Sequence, residues 1–321
     1  MISILKQIVL CVAVGALSVS AAWAAYPERL VRIVVPFAPG GATDVLARVV
    51  ARKLTDLLGQ QVIVENRPGA SGTIGTLAVA RAEPDGYTLL IVNALVHTAT
   101  KNLITNIAYD PVQSFRPIGF IGNSQYILTI NPNFPAQTLD EFLKAVRAAP
   151  GKYNYASAGN GSSPHLATEL FLRETGLQMM HVPYQGSGPA MVDTVSGVVQ
   201  MDFDNIVGPG TLVESGRLRA LAVTGTERSP KFPNVPTLGE SGLNVDVVAN
   251  FGLVAPRATP DGIIRQLNDA LAKALREPEM RKRLESDSFI PRISSPEEFG
   301  EVLRSEEKKW ERVIRESKIR M

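Results

Sequence analysis

Two glycine-rich segments hold the residue types best suited to bind a small charged molecule. The first glycine loop runs from Phe37 to Asp44 and reads FAPGGATD, and the second runs from Ser157 to His165 and reads SAGNGSSPH. Glycines let the backbone approach a ligand closely, and free amides at the start of a following helix favour an anion. Because neither loop contains Lys or Arg, the pair is better suited to a small carboxylate than to a polyphosphate.

Three further side chains follow predicted strands or open a helix beside these loops. His165 begins a predicted helix directly after the second loop, and the hydroxyl of Tyr184 stands next to a strand end. Asp204 ends another strand, where it either reaches a ligand or caps a turn. Ligands of open α/β sheets bind at the carboxyl ends of strands, so all three are candidate contacts.

Two familiar catalytic motifs are missing from the sequence. The chain has no G-x-x-x-x-G-K-[ST] sequence, and a nucleophile elbow at Ser187 would require Gly where Gln185 stands. A hydrolase that pairs Ser163 or Ser187 with His165 or His181 stays open as a minor alternative. His97 and His181 are otherwise expected to be structural.

Composition excludes other classes of protein. One Cys and three His among 321 residues rule out closed Cys/His zinc sites and disulfide frameworks, so neither a metal nor a cofactor is expected. The formal net charge of +2 argues against a nucleic-acid partner, because proteins that bind nucleic acids usually carry a basic patch or stripe.

The elements that carry the loops alternate between strand and helix. A buried strand is predicted at 31–37, a helix at 45–58, a strand at 62–65, a helix at 72–82 and a strand at 87–92. A second series of strands and helices follows from 153 to 223. An apolar strand at 251–255 stands apart from that series, and helices at 261–276, 279–286 and 295–317 form a tail. Such alternation predicts parallel sheets with helical crossovers, arranged as two α/β lobes.

The first 24 residues have the features of an export signal. Lys6 is their only charge, an apolar run follows it, and Ala22-Trp23-Ala24 matches a signal-peptidase cleavage sequence. The apolar run is shorter than a membrane-spanning helix requires. We therefore predict a signal peptide at 1–24, a mature chain that begins near Ala25, and a periplasmic protein without the single cysteine, Cys11.

Beyond these local signals, the chain resembles a known family along nearly its whole mature length. The matching stretches are VVPFAPGGATD at 34–44, VENRPGA at 64–70, PDGYTL at 84–89, YASAGNGSSPH at 155–165 and VPYQG at 182–186. Together they resemble the Bug-type extracytoplasmic receptors of tripartite tricarboxylate transporters.

That resemblance implies a type II periplasmic-binding-protein fold, with two lobes joined by crossing strands and a ligand cleft between them. Lobe 1 is then expected at 26–122 plus 250–321, and lobe 2 at 123–249. It also implies that both glycine loops hold a carboxylate. Including Tyr184 and Asp204, the predicted ligand-binding residues are Ala38, Gly40, Gly41, Ala42, Thr43, Asp44, Ser157, Gly159, Gly161, Ser162, His165, Tyr184 and Asp204.

The function implied is capture of a small organic carboxylate by a monomeric receptor, which then delivers it to membrane transporter subunits. Closure of the cleft over the ligand would create the form that the membrane partner recognises. No reaction is implied. A ligand-presenting sensor, and a periplasmic hydrolase or isomerase acting on a carboxylate, stay as alternatives.

Overall fold

A computed structural model describes residues 26–317; the predicted signal peptide and its cleavage point lie outside that range. Two β-sheets organise the chain. The first contains six strands in the order β11-β4-β10-β3-β1-β2, and the second contains five in the order β7-β6-β8-β5-β9. In chain order the strands are β1 (Val31–Val35), β2 (Val62–Asn66), β3 (Thr88–Asn93), β4 (Phe115–Ser124), β5 (Tyr126–Ile130), β6 (Asn154–Ser157), β7 (Met180–Pro183), β8 (Met201–Asn205), β9 (Arg219–Val223), β10 (Ala249–Pro256) and β11 (Ile290–Pro291).

The two sheets share one internal plan. In the first, β1 pairs in parallel with β2 and β3, and antiparallel β10 then separates β3 from β4. In the second, β6 pairs in parallel with β7 and β8, and antiparallel β5 separates β8 from β9. Each antiparallel strand directly follows a crossing from the other sheet. The prediction of two α/β lobes joined by crossing strands is therefore confirmed; the lobe boundaries at 122 and 250 stay a prediction.

Helices cover both sheets. They are α1 (Ala42–Leu58), α2 (Thr73–Ala80), α3 (Ala94–Leu103), α4 (Leu139–Ala148), α5 (Ser163–Thr175), α6 (Ser187–Ser196), α7 (Gly210–Glu214), α8 (Asp261–Arg276), α9 (Pro278–Ser286) and α10 (Pro296–Ser317). In the tail, α8 packs against β4 and α1, and α10 packs against β4 and α3. Within residues 26–317, none of the helices combines the length and apolar character needed to span a bilayer.

Side-chain caps begin two of the helices, each at a capping-box sequence: TLDE at 138–141 and SPEE at 295–298. The Thr138 hydroxyl accepts the Glu141 amide at 3.2 Å at the start of α4. Before α10, Ser295 Oγ accepts the Glu298 amide at 3.1 Å, and the Ser295 amide donates back to Glu298 Oε2 at 2.7 Å. Such exchanges satisfy amides that a helix start leaves without intrahelical partners.

Two elements differ from the sequence-based expectation. No element was predicted between Val92 and Phe115, yet α3 occupies 94–103 and begins where the Asn93 side chain accepts the Leu95 amide at 3.2 Å. The apolar run simply continues from β3 into α3, so hydrophobic periodicity does not mark the change. The strand that stands apart in sequence, β10, is a central strand of the first sheet, paired on both sides.

Candidate ligand-binding site

A cavity of about 670 Å³ lies between the two sheets, where several strands reach their carboxyl ends. The first lobe contributes the segments after β1, β2 and β3, together with Phe251 of β10. The second lobe contributes the segments after β6 and β7 and the end of β8. The lining residues are 36–39, 41–44, 68–72, 93, 96, 158–160, 162–164, 184–189, 204, 205 and 251.

Five helices begin at this cavity. The first residues or N-caps of α1, α2, α3, α5 and α6 all belong to its wall. The N-caps of α1 and α6, Gly41 and Gly186, make no side-chain capping bond, so their helices present first-turn amides without such a partner. Each helix start carries a partial positive charge of about half an elementary unit. Since no described lining residue is Lys, Arg or His, the helix starts are the main source of attraction for an anion.

The carboxylate of Asp44 braces the first glycine loop. Its Oδ2 accepts the Gly40 amide at 3.0 Å, and its Oδ1 accepts Asn66 Nδ2 at 2.9 Å. Arg48, one turn along α1, donates to both oxygens at 3.0 Å. Burial alone would raise the pKa of Asp44, but the hydrogen bonds from Arg48, Gly40 and Asn66 lower it below the usual value. The acid is therefore ionised, and it fixes the loop to α1 and β2.

The second glycine loop rests on a serine and two stacked imidazoles. Ser157 Oγ lies 2.6 Å from His181 Nε2 and accepts the Gly159 amide at 3.1 Å. His165 Nδ1 accepts the Gly161 amide at 3.1 Å. The two rings stack with centroids 4.2 Å apart and 5° between their planes. Burial lowers the pKa of both histidines to about 4, so the pair is neutral at pH 7.

The structure separates the predicted contact residues into two groups. Those that line the cavity are Ala38, Gly41, Ala42, Thr43, Asp44, Gly159, Ser162, Tyr184 and Asp204. Those outside its lining are Gly40, Ser157, Gly161 and His165. Ligand contact by any of them stays a prediction. Of the second group, Ser157, Gly161 and His165 are buried and Gly40 is exposed. In the first group, the Tyr184 hydroxyl already donates to Asp193 Oδ2 at 2.6 Å.

Sequence reasoning missed other residues of the wall. Asn93 and Asn205 end apolar strands, a position whose polar side chain is a usable signal. Ser163 and Ser187 begin helices, but the sequence analysis considers these two side chains as candidate nucleophiles and not as ligand contacts. The turn at 69–72 falls between the strand predicted at 62–65 and the helix predicted at 72–82, and no role at the cavity was predicted for it.

This turn joins the two lobes. Its four residues all have positive φ: 127° at Gly69, 46° at Ala70, 55° at Ser71 and 89° at Gly72. Non-glycine residues seldom adopt such angles, and positions of this kind cluster at ligand clamps. Ser71 Oγ donates to the carbonyl oxygen of Asn160 at 2.6 Å. The turn thereby links the first lobe to the second glycine loop beside the cavity.

Comparison with known proteins identifies relatives along nearly the whole chain. The family described as tripartite tricarboxylate transporter family receptor matches residues 46–319. Protein BugT of Bordetella pertussis is 39% identical over 294 residues, which cover 91% of this chain and 90% of that protein.

Solved structures share the fold over the same extent. The structure of periplasmic binding protein BugD is 33% identical, with a TM-score of 0.87 over 92% of this chain and 99% of that one. A Rhodopseudomonas palustris protein solved with adipate is also 33% identical, with a TM-score of 0.88 over 92% and 99%. These neighbours confirm the periplasmic-binding-protein fold. The chain belongs to the tripartite tricarboxylate transporter receptor family.

Proposed function

We propose that this protein is a periplasmic receptor that binds a small organic carboxylate and delivers it to the membrane subunits of a tripartite transporter. One observation carries the proposal: five helix N-termini meet at a cavity whose described lining contains no cationic side chain. Amides and hydroxyls in that arrangement solvate a carboxylate without a fixed counter-ion.

The relatives agree with this class of ligand. The Rhodopseudomonas palustris neighbour holds adipate, a dicarboxylate. The cavity, at about 670 Å³, falls in the range of small-molecule sites and accommodates an acid of that size. Family membership supports a transporter as the partner that recognises the closed receptor.

We further propose that the bound acid leaves chemically unchanged. His181 Nε2 is engaged with Ser157, and His165 Nδ1 accepts the Gly161 amide, so neither contact joins an imidazole to Ser163 or Ser187. Ser157 itself is fully buried and outside the cavity lining. Proton NMR of each acid incubated with the protein should show no new species; appearance of a product would favour the hydrolase or isomerase alternative.

Export to the periplasm completes the proposal, with cleavage of residues 1–24 and a monomeric mature receptor. The naming of BugD as a periplasmic binding protein supports this location. Intact mass of secreted protein should correspond to a chain that begins near Ala25, and its scattering mass should be that of one copy. A retained leader or a lipid-modified Cys11 would contradict the export route.

Calorimetry with matched acids and amides tests the binding proposal. Succinate, adipate and 3-phenylpropionate would be compared with succinamide, adipamide and 3-phenylpropionamide, which keep the skeleton but remove the charge. We expect at least one acid to bind and its amide to bind at least about tenfold more weakly, the ratio lost with one charge-assisted hydrogen bond. Equal affinity for acid and amide would contradict the proposal.

A further inference from the structure

Asp204 and Asn205, at the end of β8, place an acceptor and a donor side by side in the cavity wall. Both residues line the cavity, with 4% and 5% of their surface exposed. Asp204 Oδ2 and Asn205 Nδ2 are sealed from solvent. Within residues 26–317, Asn205 Nδ2 has no hydrogen-bond partner, and the side-chain donor that stabilises the Asp204 carboxylate is the Ser187 hydroxyl, which also lines the cavity. Unsatisfied polar atoms in such places are uncommon in folded proteins, and each requires an explanation.

The partners of these two side chains account for their other atoms. Asp204 Oδ1 accepts the Asn205 amide at 2.6 Å. Asn205 Oδ1 accepts the Ser124 hydroxyl and the Val207 amide, both at 3.2 Å. These bonds hold the end of β8 in place. Asp204 Oδ2 and Asn205 Nδ2 are therefore positioned by the fold and are not simply mobile ends.

A second carboxyl group distinguishes a ligand role from a general feature of the strand. Asp202 is two residues earlier, on the same face of β8, and is fully buried, and neither of its oxygens has a partner in the described chain. Asp202 is not part of the cavity wall, whereas Asp204 is. Burial raises the pKa of both carboxyl groups, and the charge of Asp204 raises that of Asp202 further. Hydrogen bonds from the Ser187 hydroxyl and the Asn205 amide act against burial at Asp204, so Asp204 holds the negative charge of the pair.

An ionised Asp204 has a specific consequence, because the other ionised carboxylate of the wall, Asp44, is paired with Arg48. Asp204 repels a second negative charge, and it gains a strong hydrogen bond from an ammonium or hydroxyl group. A ligand that places such a donor at Asp204 adds a strong donor to a buried carboxylate whose side-chain partner is the Ser187 hydroxyl.

Building on the proposed function, we propose that Asp204 selects carboxylates that also carry a hydrogen-bond donor, an ammonium or a hydroxyl group, over the same acids without one. Asn205 Nδ2, one residue further, provides the complementary donor for an oxygen of the same ligand. The ligand class is therefore amino acids and hydroxy acids.

Calorimetry at pH 7.5 with three matched series tests this selection. Each series keeps one skeleton and changes one substituent: succinate, L-malate and L-aspartate; adipate, 2-hydroxyadipate and 2-aminoadipate; 3-phenylpropionate, 3-phenyllactate and L-phenylalanine. In each series that binds, we expect the wild-type protein to favour a donor-bearing member by about tenfold or more. The hydroxy and amino members separate the two kinds of donor.

The variant Asp204→Asn removes the charge with little change of shape, and Asp202→Asn is its matched control. We expect Asp204→Asn to reduce the preference to less than about threefold while the unsubstituted acid keeps its affinity, and Asp202→Asn to keep the full preference. Melting temperatures establish that both variants fold.

Four results would overturn the inference. The first is equal affinity of the wild-type protein for the unsubstituted acids and their donor-bearing partners, a result that does not depend on whether the variants fold. A preference that survives in Asp204→Asn, or disappears equally in Asp202→Asn, would also overturn it. Failure of all nine compounds to bind would contradict the proposed function itself, and the inference with it.

Discussion

Single side chains at this site mostly hold the backbone in position. Asp44 ties the first glycine loop to α1 through four hydrogen bonds, and Ser157 with two neutral histidines supports the second. Polar groups behind the loops are thus satisfied within the protein. The main-chain amides and a small number of wall hydroxyls are what remain for a ligand.

Thr43 is the clearest test of a wall hydroxyl. It stands in the first turn of α1 and lines the cavity. Thr43→Val keeps the shape and removes the donor, so we expect carboxylate affinity to fall about ten- to hundredfold with an unchanged melting temperature. Thr211→Val, at an exposed position of α7 outside the cavity wall, is the calorimetric control.

Ser157 gives the opposite pattern, because its hydroxyl contacts His181 and Gly159 and does not line the cavity. Ser157→Ala should therefore lower the melting temperature together with affinity.

If Thr43→Val leaves affinity intact, the start of α1 is not where the carboxylate binds.

Buried His97 predicts a dependence of stability on pH. Burial lowers its pKa from 6.5 to about 4, and Nε2 donates to the Pro111 carbonyl at 2.7 Å. Below pH 6.5 the unfolded chain binds a proton that the folded protein excludes, so stability falls as the pH decreases toward 4. Between pH 7 and pH 5 this group alone should remove about 2 kcal/mol from the free energy of unfolding.

Urea unfolding of wild type and His97→Gln at both pH values measures that contribution. The pKa values of Asp202 and Asp204 are raised and those of His165 and His181 are lowered, but all four residues are present in both proteins. The difference between the proteins therefore isolates His97. Equal losses of stability in the two would contradict the assignment.

Among the elements, local chemistry predicts helix starts better than it predicts changes of element type. Capping boxes at Thr138 and Ser295 are legible in sequence because each depends on residues three positions apart. Helix α3 is not, since its apolar run continues that of β3 and one side chain, Asn93, marks the boundary.

The site likewise has some features that the sequence predicts and others that it does not. Both glycine loops are visible in sequence as breaks between a strand and a helix, and they do lie at the cavity. The turn at 69–72 and Asn205 come from parts of the chain distant in sequence, and tertiary contacts alone bring them to the wall. Sequence spacing also fails to show that Ser157 and His165 are outside the cavity lining.

The turn at 69–72 should control how long a ligand stays bound. Ser71→Ala removes the hydroxyl that bonds to the Asn160 carbonyl but keeps the backbone. We expect ligand dissociation to be about three- to tenfold faster, the effect of one ordinary hydrogen bond, with the melting temperature unchanged. Stopped-flow release of a bound acid measures this rate.

Ser215→Ala is the control for that experiment, since the Ser215 hydroxyl bonds within its own helical turn and is outside the cavity wall. Dissociation at the wild-type rate in Ser71→Ala would mean that the link between turn and loop does not hold the lobes together.

Across the whole molecule, two copies of one sheet plan create the cleft. Each sheet receives a central antiparallel strand from a crossing segment, so β4 with β5 and β10 join the lobes. We propose lobe boundaries near 122 and 250 on this basis. The helical tail packs mainly on the first sheet, and its last helix also reaches the second lobe, where Glu316 pairs with Arg173 at 3.0 Å.

Gly252 tests the attachment of that tail. A side chain at this position of β10 would collide with the Phe299 ring of α10, and its Cβ would lie 2.7 Å from the Gly119 carbonyl oxygen. Gly252→Ala should cost about 1–3 kcal/mol and lower the melting temperature by several degrees. In the control Gly239→Ala, the nearest atom is 3.6 Å away. A melting temperature no lower than that of the control would contradict this packing.

A crystal structure of the protein with its tightest-binding carboxylate tests the central claim most directly. The account predicts that the carboxylate oxygens lie within hydrogen-bond distance, about 2.7–3.2 Å, of first-turn amides of α1 and of at least one of α3, α5 and α6. It also predicts that no Lys or Arg side chain contacts them. A carboxylate held by a cationic side chain, or bound outside the cavity between the sheets, would contradict the account.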